Sequence, residues 1–502
     1  MNPTTLKTRI SGIILHPTSL PGPYGIGDFG GTAYRWIDGL YHARQSLWQI
    51  LPLNPTGYGN SPYQSFASFA GNYYLVSPDL LVEDGLLDRS DIPAVDFPGD
   101  YVDYGPVIDF KINILNRAWE RFQGGHAGHL RADFEGFIGK HQHWVDDYAL
   151  FRALKDANGG KAWYEWSEDL VLREPASLEK ARHDLGDQVG YFKFVQFLFF
   201  RQWQNVKNYA NERGIRIFGD VPIFVAGDSA DVWANPRMFQ LDEQRRPRTV
   251  AGVPPDYFSA TGQLWGNPVY EWSEHQATNF RWWIERLKAT FEVVDLVRID
   301  HFRGFEAYWA IPAGMPTAEV GEWVKAPGME LFTEIEKAFG ELPIIAEDLG
   351  VITPEVDALR HQFGLPGMKV LQFAFGGGSD NKDLPHNYEH NTVVYTGTHD
   401  NDTTCGWYDV ANEREKDHVR RYLGVSGDDI SWDLIRAAWA SVGDTAVAPL
   451  QDVLSLGTEA RMNFPGKPDG NWEWRFTEEM LSYDRLDRLA ELTELYSRGP
   501  TE

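Results

Sequence analysis

The chain has 502 residues, 43% of them apolar and 24% charged. That balance belongs to a folded protein and excludes intrinsic disorder, and the length suits several domains or one large barrel with insertions. Lys and Arg number 46 against 72 Asp and Glu, a formal net charge of −26, and a field of that sign repels nucleic acid and anionic lipid, so neither is an expected partner.

One cysteine, Cys405, allows no intrachain disulfide and no multi-thiolate metal site. There is no signal-peptide pattern after Met1 and no apolar run of about 18 residues. The expectation is a soluble cytoplasmic protein. The 19 Trp, 22 Tyr and 29 Phe exceed ordinary usage, and aromatic faces pack cores but also stack on sugar rings.

Eight apolar runs of strand length end in polar, acidic or loop residues. In chain order they are 13–15 before His16, 47–53 before Asn54, 215–219 before Asp220 and 294–299 before Asp300. The others are 343–346 before Glu347, 368–373 before a glycine cluster, 393–398 before His399, and 446–456. Helical patterns lie between them, as at 279–287 and 330–339. Buried strands alternating with helices predict an α/β fold with a parallel sheet, and eight of them predict a (β/α)8 TIM barrel.

The spacing is uneven. Residues 74–200 keep a helix period, with Trp144, Tyr148, Phe151 and Leu154 on one face. The expected organisation is barrel strands 1 and 2 in residues 1–75, a mainly helical insertion subdomain in 76–200, and the rest of the barrel in 201–502. A loop insertion at about 222–271, rich in Pro, Gly and aromatics, is expected over the C-terminal face of the barrel.

Asp300, Glu347 and Asp400 each follow a strand run directly or within one residue of its end. The C-terminal ends of barrel strands converge on one mouth, so three such carboxylates can meet there. Two carboxylates across a glycosidic bond at ~5–5.5 Å perform retaining chemistry, one as nucleophile and one as general acid/base. Arg298, two residues before Asp300, points to the same side of a strand, where a cation favours the ionised carboxylate that a nucleophile needs. Taken singly, each acid could equally cap a helix or pair with a local cation; the trio with its arginine points to function.

Other constellations carry less. His301, His399, Asp400 and Asp402 are of metal-ligating types but lack the H-E-x-x-H spacing, so no metal is expected. His16 and His399 suit hydrogen bonding to hydroxyls. Gly376, Gly377 and Gly378 do not form a nucleotide-binding loop, and no G-x-S-x-G elbow exists around Ser61 or Ser65. The segment 253–268 sets Tyr257, Phe258 and Trp265 among prolines and glycines, where they cover either a sugar face or the helical insertion.

The strings "LVRIDHFRGF" at 296–305, "IIAEDLG" at 344–350 and "YTGTHDNDT" at 395–403 resemble the 4-α-glucanotransferases known as amylomaltases or disproportionating enzymes, of the α-amylase superfamily. "LHPTSLPGPYGIGDFG" at 15–30, "GNSPYQSFASFAGN" at 59–72, "GDVPIFV" at 219–225, "GVPPDYFSATGQLWGNPVYEW" at 252–272 and "EARMNFPG" at 459–466 extend the resemblance over nearly the whole chain. It implies Asp300 as nucleophile, Glu347 as acid/base and Asp400 as a third acid holding sugar hydroxyls. It implies Tyr63, Asp220, Arg298, His399 and Asn463 at the cleavage subsite, and Tyr257, Phe258 and Trp265 along the acceptor side. It implies maltooligosaccharide and α-glucan substrates, and no cofactor or catalytic metal. Gly376 departs from the family pattern, which often has an acid there. A hydrolase of the same fold and a non-catalytic glucan-binding protein are the alternatives; the intact trio of acids speaks against the second.

Overall fold

The computed structural model describes residues 9–255, 259–467 and 469–500. β-Branched and leucine-rich runs form eight barrel strands: β1 Ile10–Ile14, β2 Leu47–Gln49, β3 Arg216–Pro222, β4 Leu296–Asp300, β5 Ile344–Ala346, β6 Gly367–Val370, β7 Thr392–Tyr395 and β8 Thr445–Pro449. They pair in parallel in the order β6-β7-β8-β1-β2-β3-β4-β5. The two outer strands meet, because the Ala346 N–H donates to the Pro366 carbonyl at 2.9 Å and the Met368 N–H to Asp348 Oδ1 at 2.7 Å. Gly367 is required at this seam, since a Cβ there would collide with the Asp348 carboxylate. The result is the expected (β/α)8 barrel.

Period-two alternation sorts the strand side chains. Ile14, Leu47, Phe218, Leu296, Ile345 and Val393 pack together inside the barrel. Ile13, Trp48, Ile217, Val297 and Val394 face outward to the helices. Each such side chain, fully buried, contributes roughly 1.5–3 kcal/mol.

Three long helices lie between β2 and β3, Tyr104–Gln123, Arg131–Ala157 and Gly186–Glu212. Trp144, Tyr148, Phe151 and Leu154 are buried on the second of them, as their period predicts. The helical patterns at 279–287 and 330–339 fall in helices Arg281–Val293 and Gly328–Phe339.

Two details differ from the sequence reading. The apolar run at 446–456 is a strand only to Pro449, after which the chain turns into a helix at Leu450–Val453, and hydropathy alone cannot separate the two. The segment at 222–271 is also more than loop. Its strands Thr249–Val253 and Gln263–Pro268 pair antiparallel, and the first pairs with Ala307–Pro312, which pairs with Glu322–Lys325. Half of this four-stranded sheet lies beyond β4 in the chain, so the local Pro and Gly content hides it.

The segment after β8 returns across the barrel mouth. Trp472 N–H donates to the Met462 carbonyl at 2.8 Å, and Val102 N–H to the Glu473 carbonyl at 2.7 Å. The buried Arg475 guanidinium is shared among the carbonyls of Leu20, Gly22 and Pro98. Among the described residues no helix is long and apolar enough to cross a membrane.

Candidate active site

Strand β4 carries a buried cation at the centre of the site. Arg298 and Asp300 are two residues apart and lie on the same side of the strand. One guanidinium nitrogen donates to Asp300 Oδ1 at 2.8 Å, the other to Asp220 Oδ2 on β3 at 2.6 Å. Arg298 and Asp220 are almost fully buried, whereas the Asp300 side chain remains 32% exposed. One acid is therefore locked away as a support, and the other reaches the mouth. Burial pushes the Asp220 carboxyl up to about 6 against the pull of Arg298.

Glu347 follows β5 directly and has a different environment. Its Oε2 accepts the His301 N–H at 2.8 Å and its Oε1 the Leu349 N–H at 2.8 Å. Burial is the main effect on it, and the nearby Asp300 charge adds to this. Arg298 and the two N–H groups oppose the rise, and the carboxyl settles at about 7. His301 takes a left-handed backbone conformation, φ 54°, a constrained position between Asp300 and the Glu347 carboxylate its N–H meets. Burial lowers its imidazole to about 4, so near neutral pH it adds no charge beside Asp300.

The loop after β7 brings the third acid. Asp400 Oδ1 accepts from Asn463 Nδ2 at 2.6 Å, and the Asp400 carbonyl accepts from Arg461 at 2.7 Å. His399 stacks on Tyr63, ring centroids 5.3 Å apart and planes at 12°. The Tyr63 hydroxyl donates to Asp220 Oδ2 at 3.0 Å, so the His399 Nε2–H, 2.9 Å away, donates to the Tyr63 oxygen. Nε2 also lies 3.4 Å from Asp400 Oδ1. Tyr63, Asp220, Arg298, Asp300, His399, Asp400 and Asn463 thus form one continuous polar network drawn from five loops or strands.

Trp265 stands beside this network with its ring edge-on to His301 at 4.7 Å. Tyr257 and Phe258 lie outside the described residues. Among the described residues no three His, Cys, Asp or Glu side chains are grouped as metal ligands; Asp402 accepts from the Thr458 hydroxyl at 2.9 Å and the Thr403 N–H at 2.8 Å. His16 is buried beside His399, and its imidazole is lowered to about 3 by that burial first. Arg461 and the His301 and Leu349 N–H groups escaped the sequence reading. Arg461 lies inside the 459–466 motif but acts through a backbone carbonyl, and a backbone donor has no residue signature.

Comparison with known proteins places the chain in a family. Residues 15–481 match the family model described as 4-alpha-glucanotransferase. The chain belongs to the 4-alpha-glucanotransferase family. It is 53% identical to the 4-alpha-glucanotransferase of Synechocystis over 98% of this chain and 99% of that one, and 53% identical to that of Thermus thermophilus over 97% and 99%. A solved amylomaltase from Streptococcus agalactiae, in complex with acarbose, superposes with a TM-score of 0.95 at 40% identity, covering 98% of this chain and all of that one. The enzyme is thus a glycosyltransferase with the amylomaltase fold, and its function is 4-alpha-glucan transfer, the resemblance read from its motifs.

Proposed function

We propose that the enzyme transfers segments of α-1,4-glucan between maltooligosaccharides by a retaining double displacement, with Asp300 as nucleophile and Glu347 as acid/base. The observation that carries this assignment is the unequal environment of the two carboxyls. Asp300 is exposed to the mouth and bonded to a buried guanidinium, while Glu347 is held near 7 with no cation bonded to it.

In the first step the Glu347 carboxyl gives its proton to the glycosidic oxygen while Asp300 attacks the anomeric carbon. The C–O bond to the leaving glucan breaks, and an ester to Asp300 forms. In the second step Glu347, now ionised, takes the proton from an acceptor 4-hydroxyl, whose oxygen displaces Asp300 with net retention. A group titrating near neutral pH is suited to both transfers. Asp400, held by Asn463, offers its free oxygen to sugar hydroxyls. Arg298, Asp220, Tyr63 and His399 fix the floor of the cleavage subsite, and Trp265 faces the acceptor and limits competing water. The reaction balances without a cofactor or metal.

In this reading residues 1–75 and 201–502 build the barrel, 76–200 form the helical insertion, and the segment near 222–271 overhangs the mouth. The enzyme works on cytoplasmic α-glucans. The test is incubation with pure maltotriose, counting free glucose and total reducing ends. Glucose with longer maltodextrins at constant reducing ends is expected. Rising reducing ends without longer products would make it a hydrolase, and binding without turnover would make it a glucan-binding protein.

A further inference from the structure

Trp472 is absent from every motif discussed above, yet its indole lies against two residues of the site. Its ring centroid is 5.8 Å from that of Tyr63 and 6.0 Å from that of His399, at 44° and 37°, beside their stacked pair. It is 7% exposed and packs with the side chains that fill the barrel interior. Its backbone is left-handed, φ 65°, an unfavourable conformation for a bulky residue that persists only where the surroundings enforce it.

Those surroundings are visible. The Trp472 N–H donates to the Met462 carbonyl at 2.8 Å, and the Asn471 side chain accepts the Phe464 N–H at 2.7 Å. The Trp472 carbonyl accepts the hydroxyl of the buried Tyr104 at 2.8 Å, from the first turn of helix Tyr104–Gln123. Met462 immediately precedes Asn463, which holds Asp400. One cross-linked segment therefore presents Asn463 to the third acid at one end and an indole to the Tyr63–His399 pair at the other. Through Tyr63, ring placement reaches Asp220, Arg298 and finally Asp300.

We propose that Trp472 is a positioning residue for glucan transfer, holding the Tyr63–His399 stack in register with the Arg298 network, and that Tyr104 of the helical insertion braces it. The proposal rests on the function proposed above. A ring suits this place because a large, rigid, apolar body meets both stacked rings at tilted aromatic geometry. Displacing them by a fraction of an ångström loosens the sugar contacts in the transition state more than in the ground state.

The test uses the full-length enzyme with maltotriose, after thermal melting shows each variant to be folded at the assay temperature. Trp472→Leu is expected to lower kcat at least tenfold with KM within threefold, and Trp472→Phe to recover to within threefold of the parent. Trp472→Asn, which tolerates the left-handed backbone but removes the ring, is expected to be as slow as the leucine variant. In a Tyr63→Ala background Trp472→Leu should cost less than a further threefold, because the stack it supports is already gone. The proposal is overturned if folded Trp472→Leu stays within twofold of the parent, if phenylalanine fails to rescue, if Trp472→Asn is fully active, or if the two losses multiply. Should Trp472→Leu not fold, Tyr104→Phe decides: a fall of about threefold in kcat supports the brace, and unchanged kcat contradicts it. An inactive parent enzyme would count against the proposed function, whereas a variant matching an active parent would count only against the role of Trp472.

Discussion

Two carboxyls a short way apart at the barrel mouth have been given opposite settings by the fold. On the β3–β4 side, Asp300 is bonded to a guanidinium that is itself buried and shared with Asp220. On the β5 side, Glu347 accepts two peptide N–H groups and is bonded to no cation, and desolvation raises its carboxyl to about 7. The lesson is that residue type alone does not assign the proposed roles: one carboxyl is bonded to an arginine and the other only to peptide N–H groups.

Removing the proposed nucleophile breaks this contrast most severely. Asp300→Asn is expected to lower kcat/KM for maltotriose by on the order of 10⁴-fold or more, with glucan affinity retained by calorimetry. Near-parental turnover would exclude Asp300 as nucleophile. Glu347→Gln should cost about 10²–10⁴-fold with maltotriose. It should cost far less in the first step with a glycosyl fluoride, whose leaving group needs no proton. Equal losses with both donors would contradict the acid role.

Arg298→Leu strips the shared cation from two acids at once. It leaves Asp220 buried without its charge partner, so unfolding in denaturant should show a loss on the order of 3 kcal/mol. Activity should fall with it, and a variant as stable as the parent would mean that the arginine is not what holds these acids.

The contrast also sets a pH dependence. Glu347 must be protonated in the free enzyme for the first step, so kcat/KM should fall above an alkaline limb near pH 7, about tenfold per unit. A flat profile to pH 9 would contradict that assignment. The smallest effect is on stability. The folded state holds Glu347 above its ordinary value, so its contribution to stability is fully present below the ordinary glutamate range, where both states are protonated, and is lost as the pH rises from there through about 7, where the unfolded chain ionises first. Glu347→Gln should therefore melt slightly higher than the parent at pH 8, with the difference vanishing near pH 4.

Much of this was legible in the chain. All eight barrel strands fall within or beside the apolar runs, because each strand is buried on both faces and hydropathy marks it plainly. Asp300, Glu347 and Asp400 were visible for a related reason, as acids placed where such runs end. Strands Thr249–Val253 and Ala307–Pro312 were missed as a pair, since their pairing spans β4. Trp472 was missed because aromatic residues are plentiful in this chain, and only the fold shows which one meets Tyr63 and His399. The pairing of Arg298 with Asp300 followed from the period of a strand, but its sharing with Asp220 needed β3 and β4 to be neighbours in space.

The most direct test of the account is to trap the intermediate. Glu347→Gln incubated with α-maltosyl fluoride should form the ester without acid assistance and lack the base to discharge it. Proteolysis and mass spectrometry should then find one maltosyl adduct, on the peptide containing Asp300. An adduct on another residue, or turnover of the fluoride with no adduct on Asp300, would contradict the assignment of nucleophile and acid on which everything above depends.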